Sequence, residues 1–416
     1  MDHLPSQKPG DRVSVAQSRG HLADDVRSAG MKDEIIPFRI AVAEEVLVDL
    51  RERLARTRWP DQLPGIVREY GADLATLQDL CAYWLHHFDW RRAEAELNEW
   101  PQFTTVLNDT HVHFMHARSK HENAMPLCLT HGWPGSIAEF LKILSPLTDP
   151  TAFGGKASDA FHVVAPSMPG YGFSGPTTRT GFDIGEVAKT NMALMARLGY
   201  DHYGAQGGDW GAIATSHMGL IGADHLYGIH LNMVAVGPPD PANPLDGVEP
   251  DEMEGLGAMM HFQEQETGYQ KIQQTKPQSL SYGMSDSPAG LAGWILEKFQ
   301  TWTDNDGDVF AAVTRDELLT NIMIYWVTNT INSSMRLYYE TLGKQSSFRL
   351  GHGRVEIPVG AALFPTELYR PPLAWAKARF NITHWTKMEK GGHFAAMEQP
   401  EALVEDVRTF FRTVRP

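Results

Sequence analysis

The chain has 416 residues, 42% hydrophobic, 21% charged and 10% aromatic, a composition able to bury a large core. Its formal net charge is -15 and its pI about 5.6, which argues against a basic footprint for nucleic acid or for an anionic membrane. Cys81 and Cys128 stand in apolar runs and read as two buried thiols rather than a disulfide, which fits a cytoplasmic protein.

Residues 1–33 are polar and carry no apolar stretch suited to a signal peptide or membrane anchor, so a mobile tail is expected. Met31 opens "MKDEIIPFRI", where patterned sequence begins, and is a candidate natural start. Residues 34–104 read as a helical region: "AEEVLVDLRERLARTRW" has amphipathic spacing with Pro60 as its stop, and a second, broken helical stretch follows. At Thr105 the texture changes. "TVLNDTHVHFMHA" alternates like two strands around a turn, and from "MPLCLT" to "LYGIHLNM" strands and helices alternate. Residues 105–236 are therefore expected to form the first part of an α/β fold, a mostly parallel sheet with helices on both faces. Residues 237–353 read as helical, a candidate lid over the strand ends. Residues 354–416 resume strands and close with an amphipathic helix, the second part of the core.

The chemistry centres on "GGDWG", Gly207 to Gly211, which follows a strand and opens a helix. Small residues on either side of Asp209 suit a sharp strand-to-helix turn, the nucleophile elbow, with Asp in the usual place of Ser. Acid and histidine should follow in chain order, and Glu367 in "ALFPTELY" and His393 in "GGHFAAMEQPE" do so. Glu367 would orient the imidazole and His393 would act as a base. Backbone N–H groups of Trp210 and of Trp133, in "HGWPGS", would form an oxyanion hole. A serine attacking saturated carbon would give an ether that water does not readily cleave. An aspartate gives an ester, which the same hole and an activated water can hydrolyse. An Asp elbow therefore points to epoxides or alkyl halides rather than to esters or amides.

Taken together, "HGWPGS", "GGDWG", "FPTEL", "GGHF" and the N-terminal "TRWPD" resemble the epoxide hydrolases of the α/β-hydrolase superfamily, in the microsomal and juvenile-hormone branch. The resemblance runs from about Ile35 to the C-terminus. It implies conversion of an epoxide to a vicinal diol without a cofactor, with an apolar epoxide and water as partners. Membrane-bound members of that family carry an N-terminal anchor; none is expected here from the polar first residues, and the charge and motifs lead to no expectation of nucleic acid or metal. A homo-oligomer is left open. The resemblance also implies two tyrosines that serve the departing oxygen. "ETGYQKI" gives Tyr269, and "SSMRLYYETLG" gives Tyr338, with Tyr339 adjacent. Relatives of this branch act on xenobiotic, lipid-like and natural-product epoxides.

Two rival readings stand beside this one. A haloalkane or haloacetate dehalogenase would use the same Asp nucleophile and could hold halide with Trp210. A binding protein on a hydrolase scaffold would have no need of nucleophile, acid and base together. Other motifs are weaker. "HVHFMHA" lacks the carboxylates of a metal site, "PSMPGYGFSG" reads as a turn at a pocket rim, and "TDNDGD" reads as an exposed turn. Trp294, Phe299, Trp302, Tyr325 and Trp326 suggest an apolar pocket or plain core.

Overall fold

A computed structural model of the protein describes residues 34–344 and 353–416. The expected tail at 1–33, with Met31, and the end of the expected lid at 345–352 lie outside the described residues.

The strands are β1 Ile36–Phe38, β2 Gln102–Leu107, β3 Thr110–Ala117, β4 Met125–Thr130, β5 Phe161–Pro166, β6 Tyr203–Gly207, β7 Leu226–Leu231, β8 Val355–Leu363 and β9 Phe380–Lys387. They form one sheet in the order β1-β2-β3-β5-β4-β6-β7-β8-β9. The pairings from β1 to β5 are antiparallel and those from β5 onward are parallel. The central strands are buried along nearly their whole length because helices cover both faces of the sheet. Order reverses between β4, β5 and β6, and loops leaving the C-terminal ends of these strands meet in one crevice, as open parallel sheets require. This is the α/β-hydrolase architecture.

The N-terminal region departs from the sequence reading in three ways. It opens with a strand, β1, which extends the sheet edge by pairing Ile36 with Thr104. The hairpin strand starts at Gln102, before the expected change at Thr105. The first helix, Glu44–Ala55, stops well before Pro60, because Arg56 leaves helical geometry and the Thr57 hydroxyl donates back to the Leu54 carbonyl at 2.9 Å. This region packs on the helices between β7 and β8. Leu47, Leu50, Leu80 and Trp84 share a core cluster with Ile295 and Leu296. Arg53 reaches Asp286, Arg315 reaches Asp79, and the Tyr83 hydroxyl donates to Asp316 at 2.9 Å. These exposed ion pairs fix orientation more than they add stability.

The long helical stretch expected from Arg315 onward is broken. Helix Arg315–Thr328 ends at Asn329, whose φ of 51° is left-handed, and a second helix, Ile331–Tyr338, starts in a new direction. Asn tolerates this conformation better than most residues. Cys81 and Cys128 are buried and free. Among the described residues, no helix is long and apolar enough to cross a membrane.

Under the sheet, Asp406 of the final helix Pro400–Arg412 ties two strands to that helix. Its Oδ2 lies 2.9 Å from His230 Nε2 on β7, and its Oδ1 lies 2.8 Å from His384 Nε2 on β9. Burial alone would raise the Asp406 carboxyl, but hydrogen bonds from His230, Thr386 and His384 outweigh it and hold the pKa at about 2. A depressed carboxylate stabilises the fold above its unfolded value of about 3.9, and that contribution is lost as pH falls through the folded value. Asp406→Ala is expected to cost about 3 kcal/mol in denaturant titration at pH 7. The gap to the parent protein should narrow as pH falls below about 4.

Candidate active site

The turn between β6 and helix Asp209–Ile221 is packed to backbone contact. A Cβ on Gly207 would overlap the Gly211 backbone, and one on Gly211 would overlap the Thr130 carbonyl. Asp209 itself has φ of 50°, a strained conformation for a non-glycine residue that lifts its side chain off the end of the sheet. Across from it, the "HGWPG" turn after β4 comes so close that a Cβ on Gly132 would overlap the Asp209 side chain. The Trp133 N–H donates to Asp209 Oδ1 at 2.8 Å. Trp210 is the second residue of the helix, where a backbone N–H has no acceptor within the helix.

The Trp133 amide is itself oriented by its neighbours. His131 Nδ1 lies 3.0 Å from the Gly132 carbonyl, the other end of the same peptide, while its Nε2 accepts from Met168 N–H at 3.1 Å. Burial lowers the His131 pKa to about 4, so the ring is neutral and the proton belongs on Nδ1. Helix Arg315–Thr328 clamps the same turn. Asn321 donates to the Pro134 carbonyl at 2.7 Å, and the Tyr325 hydroxyl donates to the Gly135 carbonyl at 2.6 Å. Of these supports only Tyr325 drew notice in the sequence, and there as a pocket or core aromatic rather than as a support of this turn.

Glu367 and His393 arrive on two loops bridged to each other. Thr366 N–H and hydroxyl both donate to the Gly391 carbonyl, and Thr366 pairs with Gly392. His393 Nδ1 lies 2.8 Å from Glu367 Oε1, and its Nε2 lies 3.3 Å from Asp209 Oδ2. Both His393 and Glu367 are buried. Burial opposes a charge on the imidazole. The Glu367 charge and the hydrogen bonds to Asp209 and Glu367 outweigh it, so the His393 pKa stands well above the ordinary histidine value. The two acidic side chains on either side thus favour a proton on the ring.

"TDNDGD" is not simply an exposed turn. Thr303 and Asn305 are buried, Asp304 accepts from Gly391 N–H at 2.8 Å, and the neighbouring Trp302 carbonyl accepts from His393 N–H at 2.9 Å. The Trp302 ring meets His393 edge-on at 5.0 Å. The turn thus holds the histidine loop, and only the cross-chain contacts reveal it.

Tyr269 and Tyr338 hang over Asp209 in an aromatic cage. Trp133 stacks on Tyr269 at 5.3 Å, Trp210 meets Tyr338 edge-on at 4.8 Å, and the two tyrosine rings are 5.9 Å apart. The Lys298 ammonium sits 4.1 Å from the centre of the Tyr269 ring. Burial and then other nearby groups, Asp209 among them, push both phenols well above the ordinary tyrosine value, so both keep their protons. Tyr339 instead turns toward Lys344 and is only half-buried.

Two cavities meet at Asp209, the one described residue that lines both. The larger, about 1190 Å³, holds Tyr269 and Tyr338 and is walled largely by apolar groups, among them Met233, Leu256, Met260, Phe262 and Leu368. The smaller, about 20 Å³, is bounded by Gly132, Glu139, His393 and Phe394. None of Trp294, Phe299, Trp302, Tyr325 and Trp326 lines the larger cavity; Phe299, Trp302 and Tyr325 are fully buried core.

Residues 35–140 match the family described as epoxide hydrolase N terminus, and residues 125–260 match the alpha/beta hydrolase fold. Epoxide hydrolase 1 of Oryctolagus cuniculus is 37% identical over 96% of this chain and 94% of that protein. The chain belongs to the epoxide hydrolases. A protein of Stigmatella aurantiaca named as a candidate epoxide hydrolase is 47% identical over 92% of this chain and 86% of its own length. The crystal structure of juvenile hormone epoxide hydrolase from Bombyx mori superposes with a TM-score of 0.86 at 34% identity, covering 92% of this chain and 96% of that one. The protein is an epoxide hydrolase, and the dehalogenase alternative is not favoured, since relatives across nearly the whole chain carry the epoxide hydrolase name.

The contact of Gly132 with Asp209 yields a prediction. Gly132→Ala should displace the carboxylate and lower kcat/KM for styrene oxide by about 100-fold, with an unchanged far-ultraviolet circular dichroism spectrum.

Proposed function

We propose that Asp209 is the nucleophile of this epoxide hydrolase, that Tyr269 and Tyr338 protonate the departing oxygen, and that His393, oriented by Glu367, activates the hydrolytic water. The observation that carries this reading is the position of Asp209. One carboxylate oxygen faces a backbone donor and the other faces His393, and its side chain stands where an apolar cavity and a small polar one meet. The helices between Met253 and Tyr338 act as a lid that supplies both tyrosines.

In the first step an Asp209 oxygen bonds to an oxirane carbon as the ring C–O bond breaks, and a tyrosine delivers its proton to the oxygen. Conversion of Asp209 to a neutral ester removes one of the two anions that hold the proton on His393. The imidazole pKa falls, and the proton it releases returns the phenolate to phenol. His393 is then neutral and able to act as a base. It takes a proton from water as the water oxygen bonds to the ester carbonyl carbon. The resulting oxyanion faces the N–H groups of Trp133 and Trp210. Collapse releases the diol and restores the Asp209 carboxylate and the imidazolium, so every proton is accounted for.

The walls of the larger cavity suit an apolar epoxide. The net charge of -15 speaks against nucleic acid as a partner, and two unbridged thiols suit a cytoplasmic site of action.

His393→Gln mixed with styrene oxide should gain the substrate's mass on the Asp209 peptide and stall there. Rapid turnover by that variant, or the absence of any adduct, would sink the mechanism. Tyr269→Phe and Tyr338→Phe should each slow ester formation by about 10- to 100-fold in single-turnover experiments, and the double variant should lose nearly all of it. A double variant that forms the ester at the parent rate would remove the tyrosines from the reaction.

A further inference from the structure

The proposed mechanism assigns no role to Glu139, a carboxylic acid beside Asp209 and His393. This residue lies in the short helical turn Ile137–Phe140 just after the oxyanion loop, and its carboxyl lines the small cavity with Asp209 and His393. The space is built around that carboxyl. A Cβ on Gly135 would overlap Glu139 Oε1, so the glycine there leaves room for the acid to fold back toward the site. Backbone amides of Ser136 and Gly132 hydrogen-bond to it, and it lies within electrostatic reach of both His393 and Asp209. Burial is the largest influence and pushes its pKa up to about 8, against the pull of the His393 charge.

The cavity has the dimensions and lining of a single-water site. At about 20 Å³ it exceeds the roughly 10–15 Å³ that one water needs, and it is too small for an epoxide. A water also needs two or more polar partners. Here His393 can accept one hydrogen, Glu139 can accept the other, and the ester carbon of an alkylated Asp209 lies at the wall. The tyrosines and the apolar surface belong to the other cavity, so organic substrate and water approach Asp209 from separate chambers.

We propose that Glu139 holds and aligns the hydrolytic water in this cavity, an inference that rests on Asp209 and His393 acting as nucleophile and base. One hydrogen of the water passes to His393 Nε2 as its oxygen bonds to the ester carbon. The other points at Glu139 and stays on that oxygen until the tetrahedral intermediate collapses. It then passes to the departing diol oxygen, leaving the Asp209 carboxylate and the His393 imidazolium. Glu139 itself gains and loses nothing over the cycle. It fixes the angle of attack, so its removal affects the second step and spares the first.

The test separates the two steps. Glu139→Leu and Glu139→Gln, as full chains, are mixed with styrene oxide and followed by rapid quench, reading ester by intact mass and diol by chromatography. Ester formation should stay within about threefold of the parent. Hydrolysis should slow by about 10- to 100-fold in Glu139→Leu, and by less in Glu139→Gln, whose amide oxygen can still accept a hydrogen bond. The ester should become the main steady-state form of Glu139→Leu. Equal slowing of both steps would mark Glu139 as structural only and overturn the proposal, as would hydrolysis at the parent rate in both variants. If Glu139→Leu fails to fold, the near-isosteric Glu139→Gln decides: selective slowing of hydrolysis supports the role and an unchanged rate overturns it. A His393→Gln control that accumulates no ester would place the fault in the nucleophile assignment and overturn both readings.

Discussion

The site depends on one steric constraint, the approach of three chain segments to backbone contact at the end of the central strands. Gly207 and Gly211 let the helix start directly against β6 and against the carbonyl of Thr130, and Gly132 lets the next loop rest on Asp209. No side chain fits at these points. The result is a carboxylate held in a left-handed turn with a peptide N–H at 2.8 Å. The strain of that turn is held in place by the packing of β4 and β6 on either side.

From this contact the aromatic cage follows. Trp133 and Trp210 flank Asp209 in sequence or across the turn, and their rings form the surface on which Tyr269 and Tyr338 rest. The helix that carries Tyr325 and Asn321 bonds the carbonyls of the oxyanion turn. The tyrosines and the backbone donors are thereby referenced to the same few residues. Offset and edge-on ring pairs of this kind contribute about 0.5–1.5 kcal/mol each and restrict the angle at which a lid segment can sit.

The electrostatic arrangement changes with the charge on Asp209. A buried imidazole between two carboxylates favours its proton, and loss of one carboxylate charge weakens that preference. The same residue that accepts the alkyl group therefore sets when its neighbour can act as a base. Separation of the two cavities complements this. In the proposed mechanism the tyrosines protonate oxygen in the larger, apolar cavity, and water meets the imidazole in the smaller one.

Much of this was legible in the chain alone. The alternation of apolar runs and helical patterns identified the α/β sheet, because strand and helix periodicities are local. Asp209, Glu367 and His393 were legible because an elbow, an acid loop and a Gly-Gly turn each leave a short sequence signature in a set order. What escaped notice depended on distant segments meeting. The strand at Ile36–Phe38 is set by a partner more than sixty residues away. The grip of Trp302 and Asp304 on the His393 loop, the polarity of His131, and the placement of Glu139 against Gly135 exist only after folding. The sequence by itself determined the chemistry available at each position and the architecture that repeats along the chain. The tertiary structure decided which groups share a cavity, because hydrogen bonds, burial and charge coupling act over a few ångströms of space and not along the chain.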